Sequence, residues 1–209
     1  MLPLDTVLTF FVTALLLALA PGPDIIFVLT QSALYGMRAG VATTLGLISG
    51  LCFHTTIVAV GVAGLLMASP LAFGLLTLVG AAYLLYLAWL SFRAGASMAH
   101  LQESRFLGYG ALYRRGVFMN ITNPKVTLFF LAFLPQFCVP ERGCVALQVM
   151  ELGLLFMLAA FLVFTAVSAL GGRLALWFNS SPRGQMLMHR VAGLVFVVLA
   201  VMLVVSWLA

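Results

Sequence analysis

A chain of 209 residues that is 64% hydrophobic and only 7% charged excludes an ordinary soluble domain, which carries roughly 25% charge. The net charge of +5 comes without a basic stripe on a polar helix, so nucleic acid is not an expected partner. With about 20 apolar residues per crossing, the length predicts one all-α transmembrane domain over residues 1–209, with six spanning helices in a lipid bilayer.

The first span runs apolar from Leu4 to Ala20, is interrupted at Pro21-Gly22-Pro23, and resumes from Ile25 to about Leu34. Ala18-Leu19-Ala20 mimics a signal-peptide cleavage site. Asp5 and the absence of a basic n-region argue that the segment is retained. The second span, Gly40 to Met67, carries no Lys, Arg, Asp or Glu. Ser69-Pro70 then reads as a helix cap and first helical position. The third span is Leu71 to Phe92, and Arg93 to Gly116 reads as a polar loop or surface helix. The fourth span, about Val117 to Val139, is broken at Asn123-Pro124, and the fifth runs from about Ala146 to Leu170. Gly171 to Arg190 reads as a second polar connection before the sixth span, Val191 to Ala209.

Basic residues mark cytoplasmic loops. Arg38, Arg93, Arg105, Arg114, Arg115, Arg173, Arg183 and Arg190 collect on one side of this arrangement, and only Arg142 on the other. Both termini are therefore expected outside. Cys52, Cys138 and Cys144 form no CxxC pair and no metal-ligand spacing. No metal and no cofactor are expected, and the thiols read as unpaired, although Cys138 and Cys144 flank one short loop.

Proline within a helix removes an N–H and disfavours helical geometry just before it. Pro21 and Pro23 are expected to free the carbonyls of Leu17 and Leu19, and Pro124 that of Asn120. In lipid, freed groups must be satisfied by protein or by a wet cavity. The two breaks match: Gly22-Pro23-Asp24 and Asn123-Pro124-Lys125 each read as cap, proline, then charge. Their offset is 125 − 24 = 101 positions, near half the chain. That spacing predicts two inverted three-helix repeats, about 1–105 and about 106–209, of the kind that places a transporter site near the bilayer midplane.

Charge inside a span is costly enough to be functional by default. Asp24 is expected to face the ammonium of a zwitterionic solute, and Lys125, with the helix-start N–H groups, its carboxylate. A direct Asp24–Lys125 ion pair is the rival reading. The candidate solute-binding residues are Gly22, Pro23, Asp24, Asn120, Asn123, Pro124 and Lys125. Asp24 and His54 are the proton-coupling candidates, with a neutral His54 hydrogen-bonded between helices as the alternative. Gly46, Ser49 and Gly50 read as a close-packing face. Glu151 reads as a solvated interface position, and Tyr83 and Tyr86 as core or interface aromatics.

PGPD at 21–24, GMRAG at 36–40, GAAYLLYLAW at 80–89, NITNPK at 120–125 and FLPQF at 133–137 together resemble the LysE/RhtB family of amino-acid exporters. The likeness covers nearly the whole chain and is weakest after about Leu170. It is nearest to the homoserine and threonine branch, partly through the His54 stretch. The resemblance implies proton-driven export of amino acids or close analogues from the bacterial cytoplasm across the inner membrane. It leaves the particular amino acid open, and homo-oligomerisation is compatible with it.

Three other functions fit the sequence less well. A serine hydrolase would need Ser49 and His54 to meet, but the local sequence is GLISG and the two lie on different helix faces. A thiol-redox conduit would need a partner for Cys52. A passive channel, for this or another small solute, would need polar lining through the whole thickness.

Overall fold

The computed structural model describes residues 2–68, 70–94 and 106–208. Ser69 and Arg105, which the sequence reading used as a cap and a loop marker, lie outside them. Every regular element among the described residues is helical: α1 (Leu4–Leu19), α2 (Pro23–Tyr35), α3 (Met37–Ala68), α4 (Pro70–Arg93), α5 (Tyr109–Ile121), α6 (Pro124–Leu128), α7 (Val145–Ser180) and α8 (Pro182–Leu208). Beyond α6 the chain continues as a π turn, Phe129–Phe133, and a 3-10 turn, Leu134–Phe137.

Four helices are long and apolar enough to cross a membrane alone. The pairs α1–α2 and α5–α6 bend by 58° and 49° at their breaks and bring the total to six if each is one span. Their outward faces stay apolar, with Val60, Leu71 and Phe118 more than 70% exposed. A helix that is apolar on its outer face as well is one whose solvent is lipid.

Both polar stretches carry helix: 109–116 takes the surface-helix alternative, and 171–190 is helix where a connection was expected. Residues 109–116 belong to α5, which starts after Gly108 in the left-handed region (φ 84°). Arg114 and Arg115 are exposed there, while Leu112 and Gly116 are buried, so the polarity is one face of a helix. The stretch 171–190 is interrupted only at Ser181, between α7 and α8. Its Ala175 and Gln185 are packed inside. Ser181 Oγ accepts the Gly184 N–H at 3.1 Å, ahead of Pro182 at the first helical position. That cap-and-proline signal was legible, but the charges around it obscured it.

α3 packs along α5 and α7, α2 along α7 and α3, and α4 along α8 and the π turn. The α3–α5 contact is close because Gly46 and Gly116 face it. A Cβ on Gly46 would lie 2.1 Å from the Tyr113 carbonyl oxygen, and one on Gly116 2.6 Å from that of Thr43. Both obstructions are backbone and cannot rotate away. Gly46→Ala is expected to cost about 1–3 kcal/mol through overpacking, read as a lower melting midpoint in detergent, with Gly61→Ala as a control in open space.

Phe129, Phe130 and Phe133 are buried side by side. They pack against one another and against Phe10, Phe137 and Phe156, mostly tilted or edge-on, with Phe129 and Phe133 stacked. After the 3-10 turn, Gln148 holds the exit: its Oε1 accepts the Val139 N–H at 2.7 Å and its Nε2 donates to the Val139 carbonyl at 2.9 Å. All three cysteines are free. Cys138 is half-buried, whereas Cys144 is exposed. Maleimide is expected to label exposed Cys144 at least about 10-fold faster than Cys138, a gap that unfolding closes.

Candidate functional site

Gly22 carries extended backbone into α2, Pro23 takes its first turn, and Asp24 follows there with its side chain buried. At the other break the Asn123 side chain caps α6, its Oδ1 accepting the Lys125 N–H at 3.0 Å. The rings of Pro23 and Pro124 are exposed. Their contribution in this conformation is to fix the breaks, since neither ring faces the buried cluster.

The two breaks meet. Asn120 Nδ2 donates to Asp24 Oδ2 at 3.0 Å, and Asn123 Nδ2 to Asp24 Oδ1 at 2.9 Å. Lys125 Nζ crosses to the end of α1 and donates to the carbonyls of Leu17 and Ala20, both at 3.0 Å. A cation on the open carbonyls of a helix C-terminus is favoured by hydrogen bonding and by the helix dipole alike. Leu17 is the carbonyl expected from Pro21. The second is Ala20 rather than Leu19, because α1 has ended by then. The Asn120 carbonyl, expected to be freed by Pro124, accepts from His54 Nε2 at 3.1 Å and from the Asn123 N–H at 3.0 Å.

Asp24 and Lys125 thus each bond to groups other than one another, and the direct-pair geometry is not the one adopted. Asn120 Oδ1 is buried with no hydrogen-bond partner. Beside it lies a cavity of about 20 Å³ lined by Asp24, Asn120, Lys125, Leu17, Leu51 and Phe156 among others. That holds about one water molecule, so the conformation is closed around the charged cluster. Among the described residues no three of His, Cys, Asp and Glu converge to form a metal cage.

The remaining candidates fall elsewhere. Ser49 Oγ pairs with Tyr113 OH at 2.8 Å and with the Leu45 carbonyl, so it is not joined to His54 as a nucleophile to its base. Cys52 faces the Met157 sulfur. Glu151 is exposed. Tyr83, Tyr86 and Trp89 form an aromatic ladder on α4, with the Arg93 guanidinium 4.6 Å from the Trp89 ring centre. The sequence reading missed Gln136. Its Nε2 donates to Thr77 Oγ1 on α4 at 3.1 Å and its Oε1 accepts from Ser206 Oγ on α8 at 3.0 Å. A lone amide inside an apolar run was the available signal.

The family model for LysE type translocators matches residues 15–206. The chain is 33% identical to the homoserine/homoserine lactone efflux protein of Salmonella typhimurium over 93% of each chain. Against the protein of the same name in Salmonella typhi the identity is 32%, again over 93% of each. An uncharacterized membrane protein of Vibrio cholerae is 32% identical over 90% of this chain and 91% of its own. No solved structure matches.

Proposed function

We propose that this chain, which belongs to the LysE type translocator family, exports small amino acids and close analogues of the homoserine and threonine kind from the bacterial cytoplasm. It is a multi-pass membrane translocator and not an enzyme. The observation that carries the substrate reading is the joining of two helix breaks through one buried carboxylate and one ammonium.

Homoserine and its lactone, named for two relatives, share an ammonium, whereas only homoserine has a carboxylate. Asp24 is therefore the common anchor in this reading, with the unpartnered Asn120 Oδ1 as a second acceptor for the ammonium. Lys125 leaves the Leu17 and Ala20 carbonyls to meet a substrate carboxylate. A cavity the size of one water requires the halves to part first. Repeats 1–105 and 106–209 rock about the breaks at Pro23 and Pro124 to do so. Exchanged packing supports that division: α5 lies on α3 as α1 and α2 lie on α7, while α3 pairs with α7 and α4 with α8. Export is coupled to proton entry, with Asp24 taking a proton as substrate leaves and His54 as the second carrier. The location is the inner membrane with both termini outside, as the arginine distribution supports.

The test is release of amino acids from cells loaded with a panel of dipeptides, with and without the protein. Homoserine or threonine is expected to leave several-fold faster from expressing cells, with saturation. No acceleration for any amino acid, with the protein confirmed in the membrane, would overturn the reading. Flux strictly linear in concentration would replace the carrier with a channel.

A further inference from the structure

A second, larger recess lies outside this cluster, between α2 and α5. It has a volume of about 630 Å³ and is lined by Phe27, Ala111, Arg114, Arg115, Phe118 and Met119 among others. Its size is that of a small-molecule site, but its chemistry is lopsided. The walls are aromatic and aliphatic, and Phe118 stands 71% exposed. The two guanidiniums are exposed and have no hydrogen-bond or ion-pair partner among the described residues.

The level of this recess is fixed by its neighbours. Phe106, Tyr109 and Tyr113 are all substantially exposed around the start of α5, the placement aromatic residues take at a membrane–water boundary. Ala111 lies in the first turn of α5, ahead of the first intrahelical bond, which Leu112 gives to Gly108. Its N–H adds a donor near the same place. An apolar groove with its cationic end at headgroup height complements a molecule that is anionic at one end and hydrocarbon elsewhere.

We infer that the α2–α5 groove binds an acidic phospholipid, its phosphate on Arg114 and Arg115 and an acyl chain along Phe27, Phe118 and Met119. Basic pockets between spanning helices are the usual receptors for such headgroups. A free amino acid or inorganic phosphate fits less well, since either would lose hydration against three large apolar side chains without repayment. A second copy of the chain would have to bring an acidic group to the same depth.

The protein in mild non-ionic detergent, titrated with phosphatidylglycerol or phosphatidylcholine of the same acyl chains, tests this by native mass spectrometry. One phosphatidylglycerol per chain is expected to be retained, about 10-fold or more in preference to phosphatidylcholine. Arg114→Gln/Arg115→Gln is expected to abolish the preference. Phe118→Gln, which keeps both charges, is expected to weaken retention of both lipids, and it decides the matter if the double variant does not fold. Unchanged preference in the double variant, or unchanged retention in Phe118→Gln, would overturn the assignment. So would displacement of the lipid by inorganic phosphate, which marks a bare anion site, by homoserine, which marks a solute vestibule, or by dimerisation.

Discussion

Asp24→Asn is expected to insert and fold nearly as the parent does, yet to lose roughly 10- to 100-fold in efflux. The folding half of that expectation comes from the two amides around the carboxylate. Both present their nitrogen to Asp24, so an asparagine at position 24 must place one donor against another unless an amide turns. Asn123 is held, because its Oδ1 already accepts the Lys125 N–H. Asn120 is free to turn, because its Oδ1 has no partner. The rotated arrangement pairs the three amides with one another and turns Asn120 Nδ2 toward the water-sized cavity, and the charge is gone. A hydrogen bond to a charged group is worth about 1.5–3 kcal/mol, which is the quoted range of loss in rate. Asp24→Ala is the poorer probe, since it leaves two buried amides facing nothing. Dipeptide-loaded cells with quantified membrane protein supply the measurement. Full pH-gradient-driven export by Asp24→Asn would remove this residue from both substrate and proton roles.

Lys125→Met is expected to act first on stability. The carbonyls of Leu17 and Ala20 would lose their ammonium donor within a closed site that holds about one water. Unsatisfied buried polar groups cost about 1–3 kcal/mol each, and relief of the buried ammonium offsets part of that. A net loss of about 2–4 kcal/mol should appear as a lowered melting midpoint in detergent. In the folded fraction, efflux of homoserine is expected to fall much further than that of its lactone, which has no carboxylate to miss Lys125. Equal losses for the two solutes would make Lys125 a structural strut alone.

The spans and their breaks were legible because lipid imposes a coarse rule. Long uncharged runs are helices, and proline within them has few consequences to choose from. The partners of the freed carbonyls were only half legible. Pro21 identifies Leu17 as open, but nothing in the local sequence says that Lys125, more than a hundred positions on, will reach it. The hydrogen-bond partners of Asp24 were hidden for the same reason: they come from α5 and the α6 cap, about a hundred positions on, and the meeting of the two breaks is a tertiary event. The helix over 171–190 was missed for another reason. Polar residues were counted along the chain there, although a helix distributes them around its axis.

Gln136 sits thirteen residues beyond Asn123, with its amide engaged to α4 at Thr77 and to α8 at Ser206. Rocking of the two proposed repeats would have to part the Gln136–Thr77 bond, whereas the Gln136–Ser206 bond lies within the second repeat and travels with it. Spin labels on α4 and α6 are expected to change their separation through a transport cycle, while labels on α6 and α8 keep theirs.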